Sequence, residues 1–276
     1  IYCLSAMHIF VSSGAFSGVK SLDQLIPICN SHDIFNIELA SGLKADEDYV
    51  DSLKINDKLN FLLHNYFPAP SRPFVLNLAD SDSDNRNRSI TFVENALKVC
   101  SVCDIPFYSV HAGFVANMVP EDLGRPERQK FDISQSQYDQ SLSLFSQSIG
   151  KLSQLATKLG VKLLIENNVH AVPGSRISHL LLSTTNDIFK FCEHHCHENV
   201  GFLLDVAHLK VSSTHLGFDA YAAIECLAPW ISALHLSDND GRRDSNDLCR
   251  KDSWFWAPIN QHCSKSVVPI LESYRL

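Results

Sequence analysis

Acidic and imidazole side chains stand at the ends of nearly all the short apolar runs in this 276-residue sequence. The last four runs supply three carboxylates and one imidazole: Glu166, Asp205, His235 and Glu272. Three carboxylates offset the charge of a divalent cation, and a mixed oxygen–nitrogen set suits Mn, Mg, Co or Zn in an open site. Water or a substrate hydroxyl can complete such a coordination sphere. The sequence therefore predicts a divalent metal ion as cofactor.

Polar side chains of the same kinds end the earlier runs. Glu38, His64 and His111 end the second, third and fourth runs, and His208 follows Asp205 by three residues. We interpret Glu38, His64 and His111 as substrate-binding residues near the metal. For His64 and His111, hydrogen-bonded rim positions and metal ligation both remain open alternatives.

The secondary-structure elements formed by the apolar runs must position these polar side chains. Most span four to seven residues rich in Val, Ile and Leu, which is typical of strands buried on both faces of a parallel sheet. Helical spacing of apolar residues recurs between them, so strand and helix alternate. The eight predicted strands are Cys3–Ile9, Phe35–Ala40, Asn60–Leu63, Phe107–His111, Val161–Ile165, Gly201–Leu204, Ile231–Leu236 and Val267–Leu271.

Eight strand–helix units in about 250 residues are typical of a (β/α)8 TIM barrel, here a single domain over residues 1–276. A doubly wound open sheet is the alternative, but Val11-Ser-Ser-Gly14 is not its glycine-rich first turn. In a barrel the strand ends converge on one mouth, where such enzymes work. Only four residues follow Glu272, so the eighth helix is predicted to be absent.

Composition narrows the classes of partner. The formal net charge of −8 disfavours nucleic acid, because binding to phosphates rests largely on basic side chains. No apolar run reaches the ~18 residues of a membrane-spanning helix, so no membrane partner is expected. The start of the sequence lacks a basic leader, and nine cysteines suit reduced thiols. These features predict a cytoplasmic protein.

Long loops follow several strands, notably Tyr66–Ser89 and Asn239–Ser264. The second contains Trp254-Phe255-Trp256, interpreted as exposed aromatics that either stack on a sugar ring or form a homo-oligomer contact. Arg242 lies in the same loop and could bind a phosphate or carboxylate. Trp254 and Arg242 are therefore further candidate substrate-binding residues.

Four segments resemble one known family: Leu164-Ile-Glu-Asn167, Leu204-Asp-Val-Ala-His208, Leu234-His-Leu-Ser-Asp-Asn-Asp-Gly241 and Ile270-Leu-Glu-Ser273. They are similar to the xylose-isomerase-like barrel superfamily of sugar isomerases, ketose 3-epimerases, inosose dehydratases and apurinic-site endonucleases. The resemblance implies that the four strand-end residues bind one divalent metal. It also implies that Glu166 and Glu272 move protons on opposite faces of a sugar, and that His208 binds substrate.

The sequence also departs from the family's patterns. Epimerases carry Glu and Arg where this chain has Val172 and Gly241, and aldose isomerases carry Lys in place of Asn168. We expect a metal-dependent isomerase or epimerase that transfers a proton through an enediolate of a small sugar, polyol or sugar acid. One alternative is an endonuclease-like phosphodiester hydrolase acting on abasic DNA, although Asn246 replaces an imidazole of that pattern. The other is a catalytically inactive barrel.

Overall fold

Eight parallel strands form a closed barrel in sequence order, with β1 paired to β8. The computed structural model describes residues 9–44, 46, 48–116, 118–123, 131–172 and 177–274. The TIM-barrel prediction is confirmed. The strands are β1 (Phe10–Ser12), β2 (Asn36–Leu39), β3 (Asn60–His64), β4 (Phe107–His111), β5 (Lys162–Glu166), β6 (Val200–Asp205), β7 (Ile231–Leu236) and β8 (Val268–Leu271).

Eight α-helices lie between the strands within the described ranges. Two of them separate β6 from β7, and within the described residues that follow β8, 272–274, no helix occurs. The helices are α1 (Leu22–Ser31), α2 (Tyr49–Ile55), α3 (Ser83–Val102), α4 (Gln135–Leu159), α5 (Thr185–His195), α6 (Val206–Leu216), α7 (Ala220–Leu227) and α8 (Trp256–His262).

Local sequence signals fix the ends of the longest helix. Ser134 accepts a hydrogen bond from the backbone N–H of Gln137, whose side chain accepts one from the Ser134 backbone in return. This reciprocal capping satisfies two donors at the start of α4. Gly160 ends the helix with φ of 67°, a left-handed conformation that favours glycine.

The structure differs from the predicted boundaries in several places. The first strand within the described residues is Phe10–Ser12; residues 3–8 of the predicted strand Cys3–Ile9 lie outside the described residues, and Ile9 is not part of a strand. The loop predicted over Tyr66–Ser89 contains the start of α3, because Asp82 caps the helix by accepting from the Asp84 N–H. Its first turns are polar and solvent-facing, so they lack the apolar spacing that predicts a helix.

A second predicted loop, Asn239–Ser264, contains α8. Phe255, expected to be exposed, is fully buried in the main apolar core. An aromatic side chain of this size is more stable in the core than in water, and it anchors the start of α8.

The strand register brings the polar strand ends to one rim. Asp205 lies opposite His235, His111 opposite Glu166, and Ser12 opposite Glu38. Because all strands are parallel, their last residues meet at the same mouth of the barrel. Within the described ranges, the longest helices are too polar to span a lipid bilayer.

Candidate metal centre

The four predicted ligands lie together at the barrel mouth. One ligand atom from each lies within 4.8 Å of those of the other three, and all four residues are buried. Glu166 and Asp205 are the last residues of β5 and β6, and Glu272 directly follows β8. The group is Glu166, Asp205, His235 and Glu272.

His235 lies at the centre of the group. Its Nδ1 atom is 3.0 Å from Glu272 Oε2 and 3.2 Å from Glu166 Oε1. Its Nε2 atom is 3.0 Å from Oε1 of the fully buried Glu38. A carboxylate on one imidazole nitrogen orients the ring and leaves the other nitrogen for a metal. The geometry therefore suits Glu38 to orient His235, whereas the sequence suggested a substrate-binding role.

Glu166 uses its two oxygens differently. Oε1 faces His235, whereas Oε2 is 3.5 Å from His64 Nε2 and 3.5 Å from His111 Nδ1. The His64 ring is held from its other side, where Nδ1 is 3.0 Å from the Ser109 hydroxyl oxygen. His64, His111 and Glu166 thus form a second group of potential ligands next to the first.

Asn167 links β5 to the start of α6. Its side-chain oxygen accepts from the Asp205 N–H at 2.8 Å, and its backbone oxygen is 2.9 Å from His208 Nδ1. Asp205 Oδ1 accepts from the His208 N–H at 2.8 Å and so caps α6. The His208 Nε2 atom consequently faces Asp205 Oδ2 at 3.7 Å and Asp244 Oδ2 at 3.2 Å.

Burial and neighbouring charges shift the pKa values of the residues in this cluster in opposite directions. Burial raises the pKa of Asp205 to about 8, although His208 counteracts it. Burial also raises the pKa of Glu272, but attraction to His235 outweighs it and lowers that pKa to about 2. For His235 burial lowers the pKa, yet Glu272, Glu38 and Glu166 together raise it well above its usual value.

These residues fit a divalent cation. Asp205 Oδ2 and Glu38 Oε2 are buried and have no hydrogen-bond partner. Buried carboxylates without partners are costly unless a cation neutralises them. Oxygen and imidazole donors in this ratio suit Mn, Mg, Co or Zn, in agreement with the sequence-based expectation.

Two of the predicted substrate-binding residues contact other parts of the protein. The Trp254 ring packs against Tyr221 of α7 and against Phe255, with ring centroids 5.8 and 6.0 Å away. Arg242 is exposed; its backbone N–H donates to Asp240 Oδ1 and its carbonyl oxygen lies 2.9 Å from His215 Nε2. Neither contact connects to the metal ligands, so these two roles remain predictions.

Sequence reasoning gave no role to two residues that contact the cluster. Tyr274 donates a hydrogen bond from its hydroxyl to Glu272 Oε1 at 2.6 Å, and Asn167 positions both Asp205 and His208. The sequence signal that could have identified them is their proximity along the chain to a predicted ligand, since each lies within two residues of one. Asp244 Oδ2 lies 3.2 Å from His208 Nε2, and the Asn246 amide donates to the Glu272 backbone oxygen at 3.1 Å.

A family model described as xylose isomerase-like TIM barrel matches residues 21–265. The chain therefore belongs to this family. No curated protein sequence matches it. Among solved structures, a D-tagatose 3-epimerase-like protein is similar with a TM-score of 0.72 and 15% identity, covering 97% of this chain and 91% of the other.

Two further similar structures are associated with zinc. The IolI protein with a bound zinc atom has a TM-score of 0.67 and 16% identity, covering 97% of this chain and 89% of the other. A Thermus thermophilus protein soaked with zinc chloride has a TM-score of 0.63 and 19% identity, covering 97% of this chain and 91% of the other. At these identities the similarity concerns the fold.

Metal affinity should rise with pH between about pH 6 and pH 8, because ligands must lose their protons to bind a cation. Asp205, with its pKa raised to about 8 by burial, and His235, whose pKa the surrounding carboxylates raise well above its usual value, hold protons at neutral pH in the metal-free protein. Calorimetry with Mn²⁺ in two buffers of different ionisation enthalpy should show proton release. The exposed variant Asp240→Asn is the control and should match the parent. Affinity that is constant over this pH range would contradict the assignment.

Proposed function

We propose that the protein is a divalent-metal-dependent isomerase or epimerase of a small sugar, polyol or sugar acid. The reaction moves a proton through an enediolate of the substrate. Membership of the xylose isomerase-like family supports this class of reaction. The buried cluster of carboxylates and imidazoles at the barrel mouth supports the site.

One observation carries the proposal: Glu166 and Glu272 flank His235 in the same way. Each directs one oxygen at His235 Nδ1 and the other away from it. The second oxygen of Glu166 faces His64 and His111, and the second oxygen of Glu272 accepts from Tyr274. A glutamate with one oxygen in the ligand group keeps the other for proton transfer.

The proposed chemistry assigns the steps to this chain's own residues. A bound divalent ion would polarise the substrate carbonyl and make the neighbouring C–H more acidic. One glutamate then removes the proton from carbon, and the other returns a proton from the opposite side of the substrate. Both carboxylates are buried, so water competes weakly for the proton.

Imidazoles beside the glutamates supply contacts for substrate hydroxyls. Burial lowers the pKa of His111 to about 4, despite the nearby Glu166 carboxylate, so its ring is neutral at pH 7. A neutral imidazole both donates and accepts hydrogen bonds, as a sugar hydroxyl requires. His208 is held by Asn167 with Nε2 facing the cluster, which suits a second such contact.

A second candidate function is metal-dependent hydrolysis of a phosphodiester in abasic DNA. The group of His64, His111 and Glu166 favours it, because a second ion there would share Glu166 with the first. Asn246 argues against a further ion, because its amide is bonded to the Glu272 backbone. The acidic net charge of −8 also disfavours DNA as substrate.

Solvent exchange distinguishes the two candidates. Metal-loaded protein incubated in D₂O with a panel of ketoses, aldoses, polyols and sugar acids should incorporate deuterium at carbon in at least one substrate. The physical reason is that the carboxylate that returns the proton takes up deuterium from solvent between turnovers. Glu166→Gln should abolish this incorporation. Cleavage of abasic DNA with no deuterium uptake by any compound in the panel would instead assign the hydrolase function.

Shortening either glutamate should slow turnover even at saturating metal. Glu166→Asp and Glu272→Asp keep the carboxylate but withdraw it by about 1 Å or more, and misplacement on that scale can cost about 100-fold in kcat. The measurement is kcat over a metal titration that reaches saturation in each variant. Glu198→Asp, in the segment between α5 and β6, is the matched control and should behave as the parent. Full recovery of kcat in both aspartate variants at high metal concentration would show that the two glutamates act only as metal ligands and would contradict their role in proton transfer.

A further inference from the structure

Tyr274 contacts the Glu272 carboxylate directly. Its hydroxyl donates to Oε1 at 2.6 Å, whereas Oε2 lies 3.0 Å from His235 Nδ1. The two oxygens therefore have different partners on opposite sides of the carboxyl group. A hydrogen bond to an ionised acceptor is about twice as strong as one between neutral groups. Tyr274 can therefore fix the rotation of this carboxylate.

The backbone around Tyr274 is anchored to the loop that follows β7. The Tyr274 N–H donates to the Asn246 carbonyl oxygen at 3.0 Å, and the Asn246 side chain donates to the Glu272 carbonyl oxygen at 3.1 Å. Ser273 adds a bond from its hydroxyl to the Asp247 carbonyl oxygen at 3.1 Å. These three bonds set the path of the chain from Glu272 to Tyr274.

Gly14, just beyond β1, leaves the space that the Tyr274 ring occupies. A Cβ atom at Gly14 would lie 2.9 Å from Tyr274 Cζ and closer still to Cε1. Such distances are far below van der Waals contact, so the ring reaches its place only because residue 14 has no side chain. A residue that follows the first strand thereby shapes the surroundings of Glu272, the predicted ligand that follows the last strand.

We infer that Tyr274 is a positioning residue: it holds Oε1 of Glu272 for proton transfer and leaves Oε2 as the oxygen that would bind a metal beside His235. This inference rests on the proposed function. Without the hydroxyl, the carboxyl group can rotate, and both oxygens then compete for the cation. The hydrogen bond thus separates the ligand role of Glu272 from its proton-transfer role.

Tyr274→Phe tests this, because the ring stays and only the hydroxyl is lost. We expect Mn²⁺ affinity, measured by calorimetry, to fall about 10-fold, since supporting hydrogen bonds of metal ligands contribute on that scale. At saturating metal kcat should fall by a similar factor with little change in KM. Tyr221→Phe removes the hydroxyl of an exposed tyrosine on α7 and should leave affinity, kcat and KM unchanged.

Gly14→Ala gives an independent test, because it displaces the Tyr274 ring without altering any ligand. Its effect on metal affinity should resemble that of Tyr274→Phe, and the double variant should be no worse than either single one, since both remove one interaction. Parent-like metal affinity and kcat in Tyr274→Phe would overturn the inference while leaving the proposed function intact. A parent protein that binds no metal would overturn both.

Discussion

The contact of His235 with three carboxylates is the interaction on which the site depends. Glu166 and Glu272 approach one nitrogen of its ring and Glu38 the other. Carboxylates this deeply buried would repel one another without a cation, because burial strengthens their mutual repulsion. In the metal-free protein the imidazole supplies that positive charge, which is why its pKa is raised. A divalent ion can take over the same task at Nδ1.

Barrel closure makes this contact possible. Glu38 on β2 and Glu272 after β8 are distant in sequence, yet the pairing of β1 with β8 and β2 brings both to the ring of His235. Glu38 orients His235, and Asn167 orients Asp205 and His208. The predicted ligands His235 and Asp205 are therefore held by neighbours outside the four-residue group. Such supporting contacts restrict rotation and prepare the ligands for a cation.

The sequence predicted the barrel and the ligand group because both depend on local pattern. Buried parallel strands read as apolar runs, and their polar last residues mark the mouth, so Glu166 and Asp205 were identifiable individually. The supporting contacts were less accessible. The role of Glu38 depends on which nitrogen of His235 it meets, and that of Tyr274 depends on the space above Gly14. The spacing of residues along the sequence indicates neither the contact of Glu38 with His235 nor the space beside Gly14.

Anomalous diffraction from crystals loaded with Mn²⁺ or Zn²⁺ tests the central claim most directly. The account predicts a peak among Glu166, Asp205, His235 and Glu272, with the His235 ring ligating through Nδ1 and Glu38 remaining on Nε2. Each metal–ligand distance should be about 2.0–2.2 Å, the range for nitrogen and oxygen ligands of zinc. A peak located elsewhere, or no peak after loading, would contradict the assignment of this group as the metal centre.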